Sequence, residues 1–220
     1  MKARAFAALI ILGAALLLAQ SPSSAPATQT HSSEIGFTYS LPADWEVVDA
    51  GQSLPAVKQK VENEAASEDE KKGAACIQVA LTARHGTPAS VVVVVALPFD
   101  CFGQQMTGKD LPGFASGASE GLKSTFDITE PLNGSYSLGT HTVWIERTKG
   151  TLKGHPEVQY KVETVCSILK KGAVCWMAML ADNAALQTFE HGAVTLDGEA
   201  PAALVPADAL VKSPPEVIGK

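Results

Sequence analysis

Glu157-Val158-Gln159-Tyr160-Lys161-Val162-Glu163-Thr164-Val165-Cys166-Ser167-Ile168-Leu169, then Lys170-Lys171-Gly172, then Ala173-Val174-Cys175-Trp176-Met177-Ala178-Met179-Leu180-Ala181 is two runs rich in β-branched and aromatic residues about a Gly-bearing turn. That pattern predicts an antiparallel hairpin. If it closes with Leu169 facing Gly172, Cys166 and Cys175 stand opposite each other. A three-residue loop shifts them out of register, and a slip of one residue sends the two sulfurs to opposite faces, because side chains alternate along a strand.

Outward from the hairpin, further strands are expected at Cys76 to Ala83, Val91 to Leu97 and Thr140 to Thr148. The five consecutive valines from Val91 to Val95 mark a strand covered on both faces. Ile35, Phe37, Tyr39 and Leu41 alternate with small or polar residues, Pro42-Ala43-Asp44 interrupts, and Trp45 to Val48 resumes, predicting two short strands at a turn. Leu111, Phe114, Ala115, Ala118, Leu122 and Phe126 recur every three or four residues, as on the apolar face of a helix that packs on the sheet. Asp182 with Asn183 offers a helix cap before a second helix from Ala184 to Phe189. Pro55 to Lys72, rich in Glu, Lys and Ala, reads as an exposed helix or excursion whose Glu68-Asp69-Glu70 is a solvated face. Strands in two groups around one helix, without regular alternation, predict an α+β domain with an antiparallel sheet of about six strands packed between helices.

The chain opens with Lys2 and Arg4, an uncharged apolar run of 14 residues from Phe6 to Ala19, and a small-residue stretch from Gln20 to Thr30. That order is the signature of a secretory signal peptide, and the run falls short of the roughly 20 residues a membrane-crossing helix needs. Residues 1–27 are therefore expected as a cleaved signal, cut between Ala19 and Ala27, followed by a linker over 28–34, one domain over 35–205 and a flexible tail over 206–220. The mature chain is expected in a periplasmic or secreted compartment without a stable membrane anchor. Losing Lys2 and Arg4 leaves 15 basic residues against 23 acidic, so the formal charge moves from −6 to −8. Such a surface disfavours nucleic acid and anionic membranes and favours a basic partner or none. Four cysteines in an oxidising compartment favour two disulfides. Three pairings exist in principle, of which Cys76 with Cys101 and Cys166 with Cys175 are favoured. No Cys-x-x-Cys pair is present to mark a redox centre.

Gly36-Phe37-Thr38-Tyr39-Ser40-Leu41-Pro42-Ala43-Asp44-Trp45, a strand followed by Pro-x-x-Trp, resembles the opening of PsbP-like domains. The later order of sheet pairs, a middle helix, a long hairpin and a final helix before Leu196-Asp197-Gly198 is also similar to that group. The resemblance implies an antiparallel sheet sandwiched between helices, packing roles for Pro42 and Trp45, and a non-enzymatic role of the kind that assists assemblies. It carries no catalytic residue over.

Several motifs could hold chemistry. Gly117-Ala118-Ser119-Glu120-Gly121 fits the Gly-x-Ser-x-Gly of hydrolases, with Asp182 and His191 following in Ser, Asp, His order. That elbow requires a strand to end just before the serine, whereas Ser119 falls inside the predicted helix. Gly103-Gln104-Gln105-Met106-Thr107-Gly108-Lys109-Asp110 approaches a phosphate-binding loop but ends in Asp where Ser or Thr is needed, so Asp110 is expected instead as a helix N-cap ahead of Pro112. His31, His85, His141, His155 and His191 lack the short spacings of a metal site, and neither metal nor cofactor is expected. Asn133-Gly134-Ser135 reads as a turn or a glycosylation acceptor. The acidic residues read as surface. These observations together predict an exported non-enzymatic domain that binds a protein or a small ligand. The alternatives are a serine hydrolase using Ser119, Asp182 and His191, and a structural component of the cell envelope.

Overall fold

The computed structural model describes residues 27–48, 73, 75–123, 125–129 and 132–210. Residues 1–26 of the expected signal, the Pro55 to Lys72 excursion and residues 211–220 of the expected tail lie outside them. Among the described residues the chain forms twelve strands in two antiparallel sheets. In the smaller sheet, Phe37–Pro42 (β2) pairs with Thr28–Ser32 (β1) on one side and Ala193–Leu196 (β11) on the other, and β11 carries Ala202–Ala203 (β12) at its outer edge. The larger sheet runs, in spatial order, Glu46–Val47 (β3), Gln78–His85 (β4), Ser90–Pro98 (β5), Gly172–Leu180 (β10), His155–Ile168 (β9), His141–Leu152 (β8) and Phe126–Ile128 (β6). Leu132–Leu138 (β7) pairs with the first half of β8, beside β6. Described helices include Phe99–Phe102 (α1), Leu111–Leu122 (α2) and Asn183–Glu190 (α3), with a short 3-10 helix over Ala207–Leu210.

The expected α+β class, about six strands between helices, is corrected: the fold is mostly β, in sheets of four and eight strands. The missed strands are short, polar or paired over long sequence distances. β1 reads TQTHS and occupies the expected linker. Asn133 and Gly134, expected in a turn, lie within β7 opposite Glu146 and Ile145. β11 joins β2 so remotely that Thr38 and Thr195, which share a hydrogen bond of 2.8 Å, are 157 positions apart. Local periodicity does not report such a partner.

The quoted hairpin is the larger sheet's centre. Leu169 N–H donates to Gly172 O at 2.7 Å, which leaves Lys170 and Lys171 in the loop and sets Cys166 opposite Cys175. Those two cysteines are bonded, with Cα atoms 4.2 Å apart, and Cys76 is bonded to Cys101 at 5.6 Å. Two disulfides fit a non-reducing compartment. Alternation along β10 sends Cys175 to one face and Trp176 to the other. On the Trp176 face, the smaller sheet and α3 cover a core containing Phe37, Tyr39, Val165 and Phe189. On the Cys175 face, α2 lays Leu111 and Ala115 over the Cys166–Cys175 disulfide, with Trp144 and Val95 at its border.

The smaller sheet is held to α3 at Tyr39, which is fully buried and donates its hydroxyl to Phe189 O at 3.1 Å. Gly192 lies against that ring: a Cβ there would stand 2.5 Å from Tyr39 Cε2 and 2.8 Å from its hydroxyl oxygen. Gly192→Ala is therefore expected to destabilise the chain by about 1–3 kcal/mol through overpacking. In urea the midpoint should fall with an unchanged slope, and an unchanged midpoint would mean that the ring moves aside freely.

Candidate functional site

α2 begins at Asp110, but not through the expected side-chain cap. The Asp110 carboxylate instead accepts from Thr107 N–H at 2.7 Å and Thr107 Oγ1 at 2.9 Å, and these bonds lower its pKa. The near phosphate-binding loop is thus closed upon its own aspartate. Pro112 stands in the first turn, where a missing N–H costs nothing. With Leu111 and Ala115 turned to the sheet, Ser119, one turn after Ala115, also faces it.

Ser119 has one hydrogen to give, and its Oγ lies 2.8 Å from Glu146 Oε2 and 3.0 Å from Thr164 Oγ1. Trp144 Nε1–H donates to Glu146 Oε1 at 3.3 Å. Glu146 and Thr164 are opposite each other in the β8 and β9 register, on the face that α2 covers. Glu146 is only 8% exposed, which corrects the expectation that the acidic residues are surface. Beside this group a cleft of ≈ 80 Å³ opens between helix and sheet. Glu146, Thr148, Val162 and Thr164 form its sheet side, while Ser119 and Leu122 belong to its helix side.

The three residues of the hydrolase alternative are not brought together. Ser119 lies on the Cys175 face, whereas Asp182 and His191 bracket α3, which packs on the Trp176 face. The Asp182 carboxylate is engaged as the expected cap, accepting from Ala185 N–H at 2.8 Å. The histidines are also dispersed. His31 lies in β1, and His85 stacks on Trp45 with ring centroids 5.5 Å apart. His141 Nε2 lies 3.5 Å from Asp197 Oδ2, and His155 Nδ1 lies 3.2 Å from Glu157 Oε1. Among the described residues no three His, Cys, Asp or Glu side chains form a group that could hold a metal. Trp45 is buried in the core and Pro42 ends β2.

A second charged group lies on the opposite face of the same strands. Arg147 Nε approaches Glu163 Oε1 at 2.5 Å, and its NH2 group donates to Glu190 Oε1 of α3. Glu163 and Glu190 are both buried, so two carboxylates share one guanidinium. Burial pushes the Glu163 carboxyl up to about 8, Arg147 opposes that rise, and Glu190 adds to it. Glu146 and Arg147 are consecutive in an expected strand, so alternation alone already sends one charge to each face; that both faces are covered is seen only in the structure.

No protein-family model matches the chain, and no curated protein matches its sequence. Among solved structures it is similar to the solution structure of cyanobacterial PsbP (CyanoP) from Synechocystis sp. PCC 6803. That similarity has 12% identity and a TM-score of 0.41, covering 73% of this chain and 84% of that one.

Burial raises the Glu163 carboxyl from the ordinary 4.5 to about 8 in the folded chain. The folded chain keeps a proton that the unfolded chain releases, so this group's stabilising contribution is full below about pH 4.5 and is lost as pH rises through about 8. Urea midpoints measured across that window should decline for the wild type, with a shallower decline in Glu163→Gln. Equal slopes for both proteins would show that Glu163 is ionised throughout.

Proposed function

We propose that the mature chain is an exported, non-enzymatic binding domain, either accessory to a larger assembly or a carrier of a small ligand. It receives its ligand or partner group in the cleft between α2 and the β8–β9 surface. The observation that carries this reading is the buried Glu146 carboxylate on the wall of that cleft, oriented by Ser119 and Trp144. A carboxylate withdrawn from water and held in one orientation is suited to selective recognition of a group that enters beside it. Ser119 is here a positioning residue, since its hydroxyl donates to Glu146 or Thr164. Two disulfides and an acidic mature surface suit a domain working outside the reducing cytosol. The PsbP-like opening from Gly36 to Trp45 implies the same accessory class.

The test compares wild type with Ser116→Trp, an exposed α2 position on the cleft where an indole would obstruct entry. Both are recovered from the exported fraction and weighed by non-reducing native mass spectrometry. The wild type should lack 19 to 27 N-terminal residues and retain a non-covalent mass that Ser116→Trp loses. The same added mass on both proteins would move binding away from the cleft. A fluorophosphonate should leave Ser119 unlabelled, and rapid labelling there would make the chain a hydrolase.

A further inference from the structure

Building on the reading of the cleft as a ligand site, we propose that its occupant is a primary ammonium group on a short aliphatic stem, with Glu146 as its counter-ion. The two buried acidic groups differ in how their charge is met. On the Trp176 face Arg147 accompanies Glu163 and Glu190. On the α2 face Glu146 has only neutral donors, the Ser119 hydroxyl and the Trp144 indole. Among the described residues no lysine, arginine or histidine is ion-paired with it. Lys123, at the cleft's rim, is held by Glu120 at 2.6 Å. A buried carboxylate without a cation is costly, and an ionised carboxylate offers about four lone-pair sites, of which these donors fill at most two. The remaining sites and the unmatched charge call for a cationic donor from outside the fold.

The rest of the cleft selects among cations. Leu122, Ile128 and Val162 give it apolar walls suited to methylenes. An ammonium on a short aliphatic stem suits a carboxylate beside such walls, whereas a carboxylate or phosphate would be repelled by Glu146. The ammonium, a compact donor of three hydrogens, can bond Glu146 while its stem lies along the apolar wall. An excess of acidic residues draws cations toward the whole surface. The same head group occurs on a free alkylamine and on a lysine side chain of a protein partner.

The test is a titration of the isotope-labelled mature chain followed by amide chemical shifts. n-Butylammonium should move the resonances of Ser119, Thr148 and Thr164 saturably, n-butanol should not, and Glu146→Gln should weaken the ammonium at least about tenfold. A lysine-containing peptide that displaces butylammonium, while its Nε-acetylated form does not, assigns the group to a partner's side chain. A peptide that fails to displace it assigns the site to free amines. Saturable binding of butanol and butylammonium with equal affinity overturns the ammonium proposal and leaves the cleft as a binding site. Equal ammonium binding by Glu146→Gln overturns the role of Glu146. Shifts from neither probe overturn the ammonium proposal, and the mass comparison with Ser116→Trp then decides the cleft independently. If Glu146→Gln does not fold, the butylammonium and butanol comparison on the wild type still decides the ligand class.

Discussion

Trp176 joins the two sheets. Its ring meets Phe37 with centroids 5.4 Å apart and Tyr39 at 6.2 Å, both edge to face, and it is fully buried at the middle of β10. Edge-to-face packing of this kind adds to simple area burial because the positive rim of one ring meets the negative face of the other. Phe37 and Tyr39 are two residues apart on β2, so the contact also fixes which face of the opening strand points inward. Tyr39 continues to Phe189, tying α3 into the same cluster. Among the described residues no strand of one sheet pairs with a strand of the other, so this aromatic contact, and not a shared ladder, packs the smaller sheet on the larger.

Once Trp176 points to one face, Cys175 must point to the other, and the hairpin register then places Cys166 and Trp144 beneath α2. The same register continues along β8 and β9 to Glu146 opposite Thr164 and Arg147 opposite Glu163. The two charged groups are thus consequences of one alternation. Both faces of these strands are largely covered, with Glu146 buried and Arg147 partly exposed, and the fold resolves the two charges differently. Arg147 is shared between Glu163 and Glu190 across the join to α3, while Glu146 receives neutral donors at the edge of a cleft.

How much of this could be read from the sequence depends on the range of the interaction. The hairpin, the central valine strand, α2 from Leu111 and the Asp182 cap were legible because each is set by neighbours within a few residues. So was the two-residue closure as one stated alternative, since Leu169, Gly172 and the two cysteines lie within one turn. The smaller sheet was not legible: β1 looks like a polar linker, and β11 finds β2 only through tertiary packing. Asn133-Gly134 shows the same limit, because a strong turn dipeptide was overridden by pairing with β8. Ser119 was singled out for a motif that its helical setting does not support. Its partner Glu146 was passed over because acidic residues are usually exposed, although a charge inside a doubly covered strand contradicts that habit.

The two faces meet their buried charges differently. On the Trp176 side, polar groups are tied into the packing: Tyr136 donates to Leu204 O, just after β12, at 2.6 Å, and Arg147 binds Glu190 of α3. Such bonds secure the core, and opening them to admit a ligand would separate α3 from the sheet. On the α2 side, Ser119 and Trp144 hold Glu146 in place without neutralising it, next to space that already exists. A ligand entering there disrupts no packing and can use a carboxylate whose desolvation was met on folding. Preorganisation of this sort lowers the free-energy cost of binding, which is the physical reason the proposed site lies in the cleft under α2 and not at the more highly charged group behind it.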